Sequence, residues 1–149
     1  MLPVGNQTNI DACFASEDAT VALDCYSVNP HGGGHVGVGG TMANAAASIG
    51  DPLFFLHHTN LDRLWWDWQQ VDPDARTYAI GPLRNQPTKA WLETFGPLPA
   101  PGPEFLDYSG DNGNVTTLNH VLWLAGLAPN ITLAEVMDLS NTLNCAEYV

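Results

Sequence analysis

The chain has 149 residues, 45% of them hydrophobic and five of them Trp, which is material for one core of ordinary domain size. Sixteen acidic residues stand against four basic ones (Arg63, Arg76, Arg84, Lys89), a formal net charge of -12. That field repels phosphate backbones and anionic lipids, so no nucleic acid and no membrane is expected as a partner, and no apolar run approaches the ~20 residues of a membrane-spanning helix.

Residues 1–30 read as a mixed lead-in closed by Asn29-Pro30. Asn29 suits an N-cap and Pro30 a first helical position, which places a helix start at His31. The Gly32-Gly33-Gly34 run opposes that helix by about 1 kcal/mol per Gly relative to Ala. Something other than propensity would have to hold it. Residues 36–50 (VGVGGTMANAAASIG) are small and loop-like.

The strongest helical signal lies over 53–70. Leu61, Leu64, Trp65 and Trp68 fall at i, i+3, i+4 and i+7, one apolar stripe, behind an Asp51-Pro52 start. Residues 71–115, with the cluster PLPAPGP, predict an irregular crossing. Two further helices are expected, at Thr117–Leu127 on Leu118, Val121, Leu122 and Leu124, and at about Leu133–Leu139 capped by Thr132. The ending NCAEYV reads as a short strand. No repeat or low-complexity segment is present.

Three cysteines (Cys13, Cys25, Cys145) without a CxxC spacing exclude a zinc ribbon or a thioredoxin-type site, and leave one disulfide with one free thiol, or none. N-x-T sequons stand at Asn6, Asn114 and Asn130. The start, MLPVGNQTNIDACF, lacks the basic and apolar regions of a signal peptide. The expectation is therefore a chain that stays inside the cell, or one whose Met1 is not the start of the gene product, with secretion of a longer parent suggested by the sequons.

Four of the five histidines, His31, His35, His57 and His58, lie within 28 positions. At i and i+4, His31 and His35 project from one helical face, near enough to share a metal. His58 opens the Trp-rich helix 23 residues later and completes a three-imidazole set suited to Cu, Zn, Fe or Ni. Adjacent residues on a helix point apart, so one of His57 and His58 is the ligand and the other a supporting or core group. Asp62, one turn after His58, is placed to orient an imidazole or to be a surface partner of Arg63. His120, isolated, reads as structural. A mononuclear zinc hydrolase is disfavoured, since no acidic residue flanks the HxxxH pair as a general base.

The segment DPLFFLHHTNLDRLWWDW (Asp51–Trp68), preceded by PHGGGHVGVGGTM (Pro30–Met42), resembles the copper B half of tyrosinases and catechol oxidases, the type 3 copper polyphenol oxidases, most closely the fungal members. The signature is met by Asp51, Pro52, Phe54, Phe55, His58 and Asp62. The tail around Glu135–Asp138 and Cys145–Tyr148 is similar to the end of the fungal copper domain. The resemblance implies a mainly α fold, the C-terminal half of a four-helix bundle with long irregular loops, occupying residues 1–149 as a partial domain. It implies copper held by His31, His35 and His58, with His57 and Asp62 supporting and Phe54, Phe55 and Trp65 walling the site. It implies phenolic substrates, chiefly ortho-diphenols, oxidised to quinones by dioxygen.

The copper A half, with three histidines of its own, does not appear in these residues. Three explanations stand: a fragment, a subunit completed by a copper A-bearing chain, or an incomplete gene model. The isolated chain is then expected to be inactive and to self-associate through the helix stripe that has lost its neighbours. The non-enzymatic alternative is a copper-binding remnant or interaction subunit. Gly32 follows the first copper B histidine where monophenol-hydroxylating relatives often carry Asn, which tilts the expectation toward diphenol oxidation.

Overall fold

In the computed structural model, residues 5–81, 111, 116–122 and 124–149 are described. They divide into two compact units, Met1–Ala79 with Tyr148, and Ile80–Glu147 with Val149. No helix of the described residues is long and apolar enough to cross a membrane.

The first unit opens with two helices where the sequence predicts a mixed lead-in. Helix α1 (Gln7–Phe14) is capped by Asn6, whose side chain accepts from the Asn9 amide, and α2 (Ala19–Tyr26) by Asp18, which accepts from Val21. These caps satisfy donors that the first helical turn leaves unpaired, and Ala19, Ala22 and Tyr26 recur on the buried face of α2. Each helix is short, so neither shows a long apolar period. A disulfide between Cys13 and Cys25 ties them, and Cys145 is a free, exposed thiol. Of the two arrangements that the odd count allowed, the chain adopts the first.

Helix α2 runs into a π-helical turn, Ser27–Gly32, and that turn into α3 (Gly33–Val38). The junction residues Tyr26, Gly32 and Gly33 all have right-handed helical angles, so the backbone winds without a break from Ala19 to Val38. No helix starts at Asn29-Pro30, which corrects the capping expectation. Pro30, buried inside the π turn, is tolerated because the wider turn does not require the amide and clearance that proline denies an α-helix.

A return over Gly39 (φ 75°) and Gly40 (φ 54°) leads through two 3₁₀ turns, Gly40–Ala43 and Ser48–Gly50. Both left-handed glycines lie where an L side chain would be strained. Helix α4, Pro52–Gln70, follows with Asp51 as cap and Pro52 in its first turn, as expected. It buries Leu64 and Trp68 from the apolar stripe, leaving Leu61 and Trp65 half-buried. Leu64 and Trp68 meet Cys13, Ala19, Ala22 and Tyr26 in one core. The Trp68 indole nitrogen donates to the Ser16 carbonyl at 2.7 Å, and the Arg76 guanidinium from α5 (Pro73–Arg76) lies 4.6 Å above its ring.

In the second unit, the helix expected over Thr117–Leu127 is replaced by a turn, a strand β1 (Val121–Leu122) and a further turn. β1 pairs antiparallel with β2 (Ile131–Thr132), Val121 opposite Thr132. The carboxylate of Asp111 takes both the amide and the hydroxyl of Thr117 and pairs with His120, fixing a turn where a helix would need its first winding. Ala125 (φ 55°) and Gly126 (φ 75°) then stop any continuation. His120 is held in this turn by Asp111.

Helix α6, Leu133–Met137, starts at a complete capping box, Thr132 with Glu135, and is shorter than the 133–139 span predicted. No strand forms at the C-terminus: the amides of Cys145 and Ala146 bond to Asn141 and Leu139, and Cys145 is left-handed. Of the expected irregular crossing, residues 82–110 and 112–115 lie outside the described residues.

Candidate metal centre

The unbroken helix through α2, the π turn and α3 brings His31 and His35 to one side, and α4 brings His58 to meet them. One ring nitrogen from each lies within 4.8 Å of the others. The ring centroids of His31 and His35 are 4.8 Å apart, those of His31 and His58 5.2 Å, and those of His35 and His58 5.5 Å. The HxxxH spacing and the distant third histidine therefore assemble as the sequence predicted.

Each imidazole is oriented by a neighbour. His35 Nδ1 lies 2.7 Å from the carbonyl of Met42, a residue only 1% exposed. A carbonyl can only accept, so Nδ1 carries the proton and Nε2 keeps its lone pair. His31 Nδ1 faces the Ser27 carbonyl at 3.3 Å, with the same consequence. His58 stacks on Phe54, one turn earlier in α4, with centroids 3.9 Å apart.

The remaining nitrogens then converge, His35 Nε2 lying 3.3 Å from His58 Nε2. With the lone pair of His35 Nε2 facing that space, it can accept a hydrogen bond from His58 Nε2 or share a cation with it. Burial, and then the neighbouring imidazoles, lower the His31 and His58 pKa values, which favours the neutral, metal-binding form. Three imidazole nitrogen donors with no thiolate or carboxylate among them fit a copper ion.

His57 turns the other way from its neighbour. Its Nε2 is 3.1 Å from the His31 carbonyl, and its ring stacks on His31 at 3° between planes. The ring lies against Gly34 so closely that a Cβ there would fall 2.3 Å from His57 Cε1. Gly34, which counted against a helix on propensity, is required by this approach. Phe54 packs in the cluster, whereas Phe55 makes an edge contact with Phe54 and is 59% exposed. Asp62 accepts the Tyr148 hydroxyl at 2.6 Å, and Tyr148 bears also on Trp66. Burial first, and then that hydrogen bond, push the Tyr148 phenol up to about 12.

Beside the imidazoles lies an open depression of about 340 Å³, whose walls include Tyr26, His31, His58, Asp62 and Trp65. The Met42 carbonyl and the Ser27 carbonyl were missed from sequence, since backbone acceptors carry no residue signature. The Gly39-Gly40 pair that turns the chain back toward Met42 was the available signal.

The first unit is mainly helical and holds a three-imidazole cluster that could bind a metal ion. Residues 5–71 match the common central domain of tyrosinase. The chain belongs to the tyrosinase family. It is 34% identical over 98 residues to the tyrosinase-like protein phomQ1 of Diaporthe leptostromiformis, covering 66% of this chain and 21% of that protein. It is 32% identical over 126 residues to the tyrosinase ustQ of Aspergillus flavus, covering 85% and 27%. With the N-acetyl-6-hydroxytryptophan oxidase ivoB of Emericella nidulans it shares 48% over 122 residues, 82% of this chain and 29% of that protein. The matched region thus spans under a third of each of these relatives. No solved structure matches the chain.

Proposed function

We propose that His31, His35 and His58 hold one copper ion of a tyrosinase-like oxidase that acts on phenols, chiefly ortho-diphenols, with dioxygen. The observation that carries this reading is the fixing of His35 Nδ1 by the Met42 carbonyl at 2.7 Å, which aims Nε2 at His58 Nε2. Copper, when bound, supplies the one-electron chemistry by which a phenol and dioxygen exchange electrons. Two diphenols together lose four electrons and four protons to become two quinones, and one dioxygen takes them up to become two waters.

The chain's own residues bind and shield. Phe54 braces His58 and keeps water from one side of it, and His57 braces the His31 segment. The depression lined by Trp65, Tyr26 and Leu61 offers apolar walls to an aromatic ring. Asp62 also lines that depression, with its carboxylate bonded to the Tyr148 hydroxyl. Gly32 adds no side chain after His31, in keeping with diphenol rather than monophenol chemistry.

Five histidines cannot supply two separate sets of three. A second copper set of three histidines would therefore need ligands from elsewhere than these 149 residues. The name of the 48% identical relative makes N-acetyl-6-hydroxytryptophan, a phenolic indole, the first substrate to try beside catechol.

The test is copper content per chain by elemental analysis, together with oxygen uptake on both phenols in the presence and absence of a copper A-bearing half from a relative. One copper per chain, lost in His58→Ala, with oxidation only in the completed protein, is expected. One copper with no oxidation in any combination would select the non-catalytic remnant or interaction subunit. Zinc in place of copper, or copper retained in His58→Ala, would overturn the assignment.

A further inference from the structure

The disulfide and the sequons are features that the copper site does not use, and they bear on one another. Cys13 is fully buried in the core of the first unit and bonded to Cys25, joining α1 to α2. Disulfides of this structural kind form in oxidising compartments and are rare where glutathione keeps thiols reduced. The same compartments, on the secretory route, carry the machinery that glycosylates Asn-x-Ser/Thr.

Two of the three sequons are described. Asn6, Gln7 and Thr8 are all exposed, and so is Asn130. In each asparagine the structure employs the carbonyl end of the amide: Asn6 Oδ1 accepts from the Asn9 amide at 2.9 Å, and Asn130 Oδ1 accepts from the Leu124 amide at 3.0 Å. The attachment atom of an N-glycan is Nδ2, the other end of the amide. A sugar there would leave both hydrogen bonds, the α1 cap among them, intact. The middle residues, Gln7 and Ile131, are not proline, which would block transfer.

We propose that this protein folds on the secretory route and carries N-linked glycans at Asn6 and Asn130. Asn Nδ2 bonds to the anomeric carbon of an oligosaccharide delivered on a lipid diphosphate. The bond from that carbon to the diphosphate oxygen breaks, the lipid diphosphate departs, and the amide nitrogen gives up one proton. The two thiols of Cys13 and Cys25 lose two electrons and two protons to a disulfide-bearing oxidase of the same compartment. This inference holds whether or not the imidazole cluster takes copper.

The experiment uses the protein from its native source, lysed into an alkylating agent without reductant. Peptides are treated with peptide N-glycosidase in ¹⁸O-water and read by mass spectrometry. Heavy-oxygen Asp at positions 6 and 130, with Cys13 and Cys25 recovered as a linked pair, is the expected result. Asn6→Asp and Asn130→Asp, expressed through a fungal secretory pathway, each remove one glycan while keeping the acceptor oxygen, so the melting temperature of Asn6→Asp stays close to that of the enzymatically deglycosylated parent. Unmodified asparagine at both positions, or alkylated Cys13 and Cys25, would overturn the proposal.

Discussion

The most demanding residue at the centre is Gly34, because its missing side chain is the space that His57 fills. Ala at this position gains about 1 kcal/mol of helix propensity over Gly. The clash at 2.3 Å from an imidazole atom outweighs that gain. Gly34→Ala is expected to push His57 off the His31 carbonyl and to lower copper affinity at least tenfold, read by titration with copper and a competing chelator. Affinity equal to the parent's would show that His57 has no part in holding the His31 segment.

The same residues set a pH dependence. Burial and neighbouring rings hold the His31 and His58 pKa values below the ordinary imidazole value of about 6.5. The unfolded chain therefore binds protons at higher pH than the folded one. Stability from these two groups is fully present above about 6.5 and is lost as the pH falls through their lower folded values. Protons also compete with the metal for the same lone pairs. Melting temperature of the copper-free protein and copper affinity are both expected to be flat at neutral pH and to fall on mild acidification. A melting temperature that rises on acidification would contradict the lowered values.

At the scale of elements, α4 carries both the core and the centre. Trp68 and Leu64 pack inward on Cys13, Ala22 and Tyr26, while His57 and His58 stand two to three turns earlier on the same rod. A loss in the core thus loosens the helix that presents the ligand. Trp68→Ala removes a fully buried indole, its hydrogen bond to Ser16 and the surface under Arg76, and is expected to cost about 3–5 kcal/mol. Chemical denaturation checks this. A cost under 1 kcal/mol would mean that the core closes over the gap.

The π turn is the other element that matters. It carries Pro30 inside a helix and hands the winding on to α3, so that both histidines of the HxxxH pair stay on one rod. Asn29-Pro30 predicts a helix start, but the same dipeptide also fits a widened turn within a helix. Asn29 is not a cap here: its amide lies 3.3 Å from the Cys25 sulfur.

For the whole molecule, the disulfide closes a loop of 12 residues in sequence separation at the base of the histidine-bearing helix. Replacing both cysteines, Cys13→Ala with Cys25→Ala, is expected to lower stability by about 2–4 kcal/mol, mainly by freeing the unfolded chain. The melting temperature of the double variant against the parent measures it. An unchanged melting temperature would mean that the packing of α1 and α2 needs no covalent tie.

Much of the centre was legible in the sequence, and for a physical reason. Spacings of four on a helix, a capped Asp51-Pro52 start and a stripe of Leu and Trp are local facts, decided by helix geometry before any long-range contact forms. The four-residue spacing of His31 and His35 and nearly the full span of α4 follow from them. α1 and α2 were missed because eight-residue helices rest on caps and a disulfide rather than on a long apolar period. The stretch at Thr117–Leu127 became strand and turn because Asp111 and a β-branched partner strand outweighed a brief helical pattern. Which nitrogen of His35 is free depends on the Met42 carbonyl, and why Gly34 must be glycine depends on a ring 23 residues away. The sequence by itself determined the HxxxH pair and the helix that carries His57 and His58, since these rest on local periodicity, while the choice of His58 over His57 came from the family resemblance. Only the tertiary structure decided the proton positions, the Cys13–Cys25 pairing and the unbroken path through Pro30, since each of those depends on which distant groups the fold brings within reach.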